Sequence, residues 1–481
     1  MSDDSVAKET LIHSKKAFFQ SEARLLEELG ERLVASAEVA VVELIKNSYD
    51  ADASLCEVKL NDKDKILNIK DDGHGITEEE FLNKWMHIAT DSKQKEEYSR
   101  EYKRKLTGAK GIGRFAVRFL SNYLTLDSIA YDKKRKEKTR LVAEFDWQKF
   151  SKSNDIVNIE IPYKLYVADN ESKEGTTLIV KDLKETKEGL IFNKEVISGV
   201  LKIISPLSGL DPGRFRTNLS KGDKDPGFKV NVGQTSDVNA DENFAKKILD
   251  NYWARLYIDL NGNNLTYKIF LQNSEKDIFK HTQVFDSHIH KGLIADIRFF
   301  PRREGVFSNK GFNGKLAWRW IGENCGVKVL DHGFQIMPYG FEEDDWLKIS
   351  ANIAKNERDW QSNIMKQYYE IPPNIKKEPS LNPMLYLPAN HQLIGAIYVE
   401  GSSVHQKDNY SDLIPSTDRE GFLNNKAFND LWEIIRAGVE MLAMVDEKEI
   451  HESTRKKRKR RKNPSGNREP LSSYSEITIS C

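Results

Sequence analysis

Four short polar or glycine-rich stretches, which follow one another over about 130 residues, limit the possible folds of this chain more than any other feature. The first has helical spacing, the second follows a strand-like segment, and the fourth opens another. They are Glu43-x-x-x-Asn47, Asp71-x-Gly73-x-Gly75, Gly108-x-x-Gly111-x-Gly113 and Gly175-Thr176. Each alone is better explained as a helix surface or a turn. Their occurrence in this order predicts a nucleotide-binding site.

The first stretch lies in the segment VVELIKNSYDADA, whose apolar residues recur at helical spacing. Asn47 comes one turn after Glu43 and therefore lies on the same face of the helix. A surface helix turns such polar residues to water, whereas a helix that builds a site turns them inward. We expect the inward arrangement, with Asp50 and Asp52 helping to end the helix.

The second stretch suits the recognition of a purine base. A carboxylate such as Asp71 can accept a hydrogen bond from the exocyclic amino group of adenine, which makes the contact specific for that base. Gly73 and Gly75 have no Cβ, so the backbone can approach the base closely. We expect these residues and the neighbouring Ile76 to line the adenine site.

The third stretch suits phosphate groups. The segment RFAVRFL that follows it has a helical pattern, and the free N–H groups at the start of a helix bind phosphate oxygens. We expect a phosphate cradle here, with Lys110 or Arg114 adding positive charge. The predicted cradle comprises Gly108, Lys110, Gly111, Ile112, Gly113 and Arg114. The sequence contains no G-x-x-x-x-G-K-S/T phosphate loop.

Together these stretches resemble the GHKL ATPase family, which includes DNA gyrase B, MutL, MORC proteins, the ninety-kilodalton heat-shock chaperone and sensor histidine kinases. The resemblance covers roughly residues 20–185. It implies an α+β fold, with a Bergerat-type α/β sandwich at residues 1–190. A transducer-like βαβ domain is expected at residues 191–445, and a basic, disordered tail at residues 446–481.

The resemblance also implies roles for single residues. The Asn47 amide oxygen would bind a Mg²⁺ ion held by the ATP phosphates, and Glu43 would activate the attacking water. Thr176 matches a threonine whose hydroxyl supports the adenine-binding carboxylate, directly or through a water. Sensor kinases usually carry Asn at the position of Glu43, so the glutamate favours hydrolysis over transfer of phosphate to a histidine.

The charged segment between the two glycine clusters would by default be a solvated loop. Its position makes it the expected ATP lid, at about residues 89–113, and ATDSK resembles the lid start of MutL-like members. Ser92 and Lys93 are therefore candidate nucleotide contacts. In the second domain, the resemblance implies a basic side chain that reaches the γ-phosphate. Arg419, after Pro415, is the candidate, and Lys407 is the alternative.

These features predict an ATP-binding, Mg²⁺-dependent ATPase that acts as a conformational switch. We expect it to form a homodimer on binding ATP and to act on a protein partner, with DNA or RNA as a further candidate through the basic run RKKRKRRK. A looser resemblance, to bacterial ATP-binding proteins of which some belong to anti-phage systems, suggests an antiviral role. The alternatives are an ATP sensor with little turnover and a histidine-kinase-like phosphotransferase, for which His13 is a formal phosphoacceptor.

Composition sets broader limits. Lys+Arg and Asp+Glu both number 74, so the overall charge favours neither nucleic acid nor membrane. Three separated cysteines argue against a disulfide framework and fit a reducing compartment. We find no long apolar run and therefore expect a cytoplasmic protein without a membrane span. A metal site at His281, His288 and His290 is not favoured, because no matching acidic or cysteine partner is apparent.

Overall fold

The computed structural model describes most of the chain between residues 36 and 462. The described residues are 36–86, 98–104, 106–107, 116–148, 160–187, 189–193, 196–197, 199–200, 210–211, 213, 225–233, 245–272, 274, 276–303, 306–307, 313–331, 334–341, 344–371, 379–401, 412–416 and 421–462.

The helices whose bounds the structure defines lie before residue 121 and after residue 313. In chain order they are α1 (Ala37–Asp50), α2 (Glu78–Glu80, continued by a π-helical turn at Phe81–Trp85), α3 (Val117–Leu120), α4 (Gly314–Asn324), α5 (Ile349–Ala354), α6 (Asn363–Tyr368) and α7 (Lys426–Lys462). Three 3₁₀ turns lie at Pro379–Leu381, Pro383–Tyr386 and Asn390–Gln392. No helix among the described residues combines the length and the apolar character that crossing a bilayer requires.

The strands of the first part of the chain form a seven-stranded sheet and a small hairpin. They are β1 (Leu55–Asn61), β2 (Ile66–Asp71), β3 (Ser121–Asp132), β4 (Glu137–Asp146), β5 (Tyr163–Val167), β6 (Gly175–Leu183), β7 (Glu185–Thr186), β8 (Gly189–Leu190) and β9 (Lys229–Val232). The sheet order is β5-β4-β3-β6-β2-β1-β9, and β7 pairs with β8. All neighbours in the sheet are antiparallel except β1 and β9, which are parallel.

The core of this first sheet follows from the alternation of its strands. In β2, Leu67 and Ile69 are buried, and Asp71 continues the same face because successive side chains point to opposite sides. Helix α1 contributes Val41, Leu44 and other buried residues to the same core. The sequence and the structure agree that β1 and β2 form a hairpin that ends at Asp71, where Cys56 is its partner. The mixed α/β layers confirm the predicted fold class.

The first sheet extends beyond the predicted boundary at residue 190. Strand β9 pairs with β1 through Leu55 and Lys229, and Val196 and Val200 belong to the first hydrophobic core. Strand β9 covers an edge that β1 would otherwise expose. A parallel partner so distant in the sequence leaves no local pattern, which explains why the predicted boundary came too early.

The second part of the chain forms another seven-stranded sheet. Its strands are β10 (Ala254–Asn261), β11 (Asn264–Leu271), β12 (Phe279–Val284), β13 (Leu293–Phe299), β14 (Gly326–Asp331), β15 (Phe334–Ile336) and β16 (Leu393–Val399). The order is β12-β11-β10-β13-β16-β14-β15, and only β14 and β16 are parallel. Their parallel pairing requires a crossover, which contains α5 and α6. The strand predicted in HQLIGAIYVEG is β16.

Helix α7 packs its apolar face on this second sheet and is longer than expected. Leu431, Ile435, Val439 and Leu442 are fully buried, as the helical spacing predicts. The helix spans 37 residues and ends at Lys462, so the predicted disordered tail does not begin at residue 446. The extension is rich in Lys, Arg and Glu, which favour helix, and no proline or glycine occurs in it before Pro464.

Candidate functional site

Helix α1 places the residues of the first stretch. It starts at Ser36, whose hydroxyl caps the helix by accepting a hydrogen bond from the Val39 amide at 3.4 Å. Glu43 is only 7% exposed, and Asn47 is half-buried. The Lys46 ammonium lies 3.2 Å from Glu43 Oε1. Glu43 is therefore turned away from open water, as expected for a helix that builds a site.

Asp71 joins three of the predicted stretches. Its Oδ1 accepts hydrogen bonds from the Gly73 amide at 3.0 Å and the Thr176 amide at 3.1 Å. Its Oδ2 accepts from the Ser48 hydroxyl of α1 at 3.0 Å. Burial raises the pKa of the Asp71 carboxyl, and the hydrogen bonds from Gly73, Ser48 and Thr176 oppose that rise. The carboxylate thus fixes α1, β2 and β6 relative to one another.

The arrangement around Asp71 fits an adenine base. An ionised carboxylate offers about four acceptor positions, and donors among the described residues occupy three of them. One position remains for the amino group of a base. Ser48 was not among the predicted residues, because a serine inside a helix has no distinctive spacing. Its hydroxyl is nevertheless the link between the first helix and this carboxylate.

The glycines near Asp71 are required by contacts within the protein. A Cβ on Gly73 would lie 2.6 Å from the Ala51 carbonyl oxygen, and one on Gly75 would lie 2.0 Å from that of Ile129. Gly75 also has a φ of +66°. We predicted that these glycines let the backbone approach the base. The structure gives a different reason, because the atoms that a side chain would strike belong to the protein's own backbone.

Thr176 contacts the Asp71 carboxylate directly through its backbone amide, and support from its hydroxyl through a water stays a prediction. The Thr176 hydroxyl lies 2.9 Å from the Ser128 hydroxyl, and Ser128 Oγ accepts a hydrogen bond from the Ile76 amide at 2.8 Å. Ser128 therefore connects β3 with the segment that carries Gly75 and with β6. The sequence pattern gave no signal for Ser128, because it lies in an ordinary alternating strand.

Asp50 and Asp52, predicted to help end α1, also hold part of the charged segment. Asp50 Oδ1 accepts from the amide and the hydroxyl of Thr107, at 2.8 and 3.0 Å. Asp52 accepts from the amides of Glu101 and Tyr102, at 2.7 and 3.1 Å. This end of the predicted lid is therefore attached to the helix that carries Glu43.

Arg104 packs the same segment into the domain. It is fully buried and donates to the Asp225 carboxylate from Nε at 2.9 Å and Nη2 at 2.6 Å. Its guanidinium also lies 5.0 Å from the ring centroid of Tyr49 and 5.8 Å from that of Phe228. A buried charge with a bidentate partner resists displacement, because a lost partner leaves the other charge unpaired.

We expect limited trypsin digestion to separate the two parts of the predicted lid. Without nucleotide, cleavage should occur after Lys93 or Lys95 but not after Arg104, whose side chain is buried. A non-hydrolysable ATP analogue should slow the first cleavages as the lid closes. Cleavage within Arg455–Lys462 provides the internal control, since it should not respond. Equal digestion with and without the analogue would argue against a lid.

Ten of the predicted site residues lie outside the described residues. They are Ser92, Lys93, Gly108, Lys110, Gly111, Ile112, Gly113, Arg114, Lys407 and Arg419. Of the three histidines, His288 Nδ1 lies 2.9 Å from Asp430 Oδ2, and His290 Nδ1 lies 3.6 Å from Asp412 Oδ2. In the part of the chain that the structure describes, no group of three or more His, Cys, Asp or Glu side chains could hold a metal ion.

Comparison with known families agrees with this geometry. Residues 35–177 match the family model described as histidine kinase-, DNA gyrase B-, and HSP90-like ATPase. The matched range runs from just before α1 to Thr177 and so contains all four stretches. A search of curated proteins found no match for the chain. Residues 35–177 therefore form a GHKL-type ATPase domain.

Proposed function

We propose that this protein binds ATP with Mg²⁺, hydrolyses it, and uses the nucleotide state to change its conformation. The observation that carries the proposal is the Asp71 carboxylate, which Gly73, Ser48 and Thr176 hold at the junction of α1, β2 and β6. The same helix that supplies Ser48 also supplies a buried carboxylate at Glu43 and an amide at Asn47. A base-binding group and a candidate catalytic group thus share one rigid element.

Each residue has a separate role in this proposal. Asp71 accepts a hydrogen bond from the adenine amino group, and the Asn47 amide oxygen holds the Mg²⁺ ion. The ion supplies charge neutralisation at the phosphates. Glu43 takes the proton of the attacking water at a carboxylate oxygen. A carboxylate in this position favours hydrolysis over transfer to a protein side chain, and labelled protein after incubation with γ-labelled ATP would instead indicate a kinase.

A second candidate function is an ATP sensor with little turnover. The observation that favours it is the 3.2 Å contact between Lys46 and Glu43 Oε1, because an ammonium donor then already occupies an oxygen that would have to receive the proton of the attacking water. A steady-state ATPase assay separates the two candidates. A regulated sensor would bind ATP tightly and release almost no phosphate, with or without a partner.

The output of the switch belongs to other molecules in this proposal. We propose that ATP closes the lid and joins two copies of the chain, and that hydrolysis resets them. A protein partner would read the closed state. The basic run Arg455–Lys462 supports nucleic acid as a further partner, because clustered cations bind phosphate backbones. An antiviral role rests on the looser resemblance alone, and the genes beside this one would test it.

Asn47→Ala tests the role of the metal ion. We expect ATP affinity measured by calorimetry to become insensitive to Mg²⁺, because the amide oxygen that holds the ion is lost. ADP binding through Asp71 should persist. The control is Asn68→Ala, since Asn68 is also half-buried but points to the opposite face of β2 from Asp71. Unchanged Mg²⁺ dependence in Asn47→Ala would remove Asn47 from the proposed site.

A further inference from the structure

One aromatic side chain of the second sheet lies in the core of the first domain. Phe334, the first residue of β15, packs edge-on against Tyr49 of α1, with ring centroids 5.5 Å apart at 86°. Met337 and Phe341 pack against the same core. The second sheet is therefore in direct contact with the helix that carries Glu43 and Asn47.

Lys46 touches both this aromatic ring and the candidate catalytic carboxylate. Its ammonium lies 5.3 Å from the centroid of the Phe334 ring and 3.2 Å from Glu43 Oε1. Lys46 and Glu43 are three positions apart on α1 and are mostly covered, with side chains 24% and 9% exposed. A cation so placed has two attractive neighbours, one on its own helix and one on the second sheet.

We propose that Lys46 is a positioning residue for Glu43, and that Phe334 transmits the placement of the second domain to that carboxylate. A pair three positions apart on one helix is weak by itself in isolated helices, and it links the two side chains only to each other, so a contact with a second element is needed to fix their position. The Phe334 ring is fixed in the core, so it restricts the Lys46 side chain to the side of α1 that faces the ring. The lysine in turn restricts the carboxylate oxygen that it contacts.

This route differs from the predicted contact between Arg419 or Lys407 and the γ-phosphate. That contact would act on the nucleotide, whereas Phe334 and Lys46 act on the group that activates water. A movement of β15 away from α1 would release Lys46 and leave the carboxylate less ordered. The rate of hydrolysis would then depend on the position of the second domain, with ATP affinity unaffected. The inference rests on the proposed hydrolysis and on Glu43 as the base.

The experiment compares three single variants with wild type by turnover and by affinity for a non-hydrolysable ATP analogue. Lys46→Met keeps the length of the side chain and removes its charge, and we expect turnover to fall roughly tenfold to a hundredfold, the scale for a misplaced reacting group. Lys46→Arg should restore most of the rate. Phe334→Leu, which keeps an apolar side chain without the ring, should lower turnover in the same direction. Affinity for the analogue should stay within about twofold in all three.

The matched control is Phe228→Leu. Phe228 packs against the same Tyr49 ring, also at 5.5 Å, but its cationic neighbour is Arg104. This variant should keep the wild-type rate if the effect runs through Lys46. The double variant Lys46→Met with Phe334→Leu should be no slower than Lys46→Met, because both changes break one path. If thermal melting shows Phe334→Leu to be unfolded, Phe334→Met replaces it.

The outcomes separate this inference from the proposed function. No turnover in wild type, or full turnover in Glu43→Gln, overturns the hydrolysis mechanism and this inference with it. Loss of turnover in Glu43→Gln together with wild-type or higher rates in Lys46→Met and Phe334→Leu overturns this inference alone, and a higher rate in Lys46→Met would show that the pairing restrains the carboxylate. Equal slowing by Phe228→Leu and Phe334→Leu would also overturn it, since general packing around Tyr49 would then explain the result.

Discussion

Asp71→Asn should abolish ATP binding, with at least about a thousandfold loss of affinity, while the domain stays folded. The new side chain can still accept hydrogen bonds from Gly73 and Thr176 at its remaining oxygen. Its amide nitrogen, however, replaces Oδ2 with a donor and would face the donor amino group of adenine. Calorimetry with ATP, ADP and adenosine should show the loss for all three, because they share the base.

The direction in which Asp71→Asn changes the stability of the fold can also be predicted. Burial raises the pKa of Asp71 above its ordinary value of 3.8, so the folded state binds this proton more tightly than the unfolded chain does. The free energy of unfolding therefore falls as the pH rises from the ordinary pKa of Asp71 through its raised pKa in the folded state. An amide does not ionise, so Asp71→Asn should melt at the same temperature as wild type or higher at neutral pH.

Asp72→Asn is the control for both measurements. Desolvation opposes ionisation of this neighbouring carboxyl, but hydrogen bonds from Ser54 and the Leu55 amide outweigh it and lower the pKa of Asp72. Because its pKa is lowered in the folded state, the ionised Asp72 carboxylate stabilises the fold at pH values above its ordinary pKa. This contribution is lost as the pH falls through the lowered pKa. We expect this variant to keep ATP binding and to melt lower. Normal ATP affinity in Asp71→Asn would place the base elsewhere.

Glu43→Ala should bind ATP with Mg²⁺ but hydrolyse it at least about a hundredfold more slowly, the usual scale for a lost general base. The residue is 7% exposed and lies on α1, so removal of its side chain leaves the backbone of the helix in place. Phosphate release under saturating ATP measures the rate, and affinity for the analogue shows that the site is intact. Glu43→Gln, which keeps the shape, should be as slow.

Glu57→Ala provides the comparison for this prediction. Glu57 is a partly exposed carboxylate on β1 that pairs with Lys59 at 3.1 Å, so its loss should leave turnover unchanged. A wild-type rate in Glu43→Ala would show that another group, or water alone, takes the proton. The protein would then still bind ATP, and only the assignment of the base would fail.

The sequence pattern indicates candidate members of the site but not the contacts between them. Glu43, Asn47, Asp71 and Thr176 could be named because charged or amide groups and glycines at fixed spacings leave a local pattern. Ser48 and Ser128 could not, since a serine on a helix or strand acquires a role only when another element supplies its partner. For the same reason, the sequence pattern did not predict that the Thr176 amide donates to Asp71.

Local sequence patterns also could not predict the contacts between residues that are far apart in the chain. Strand β9 joins the first sheet through residues far along the chain, and Asp225 pairs with Arg104 from the segment just before it. A charge-rich stretch with few apolar residues predicts a solvated loop. Arg104 is nevertheless buried, because a bidentate carboxylate and aromatic rings together replace water around its guanidinium. Only the assembled domain brings those partners together.

The length of α7 has a mechanical consequence. From Glu452 the helix leaves the core, and the remaining residues to Lys462 extend it by about 16 Å at 1.5 Å per residue. A coil of equal length would present the basic run over a broad range of distances, whereas a helix acts as a rigid lever. A tilt of about 10° at its base would displace its tip by about 3 Å. Anything bound to those cations would therefore follow the rotation of the second sheet directly.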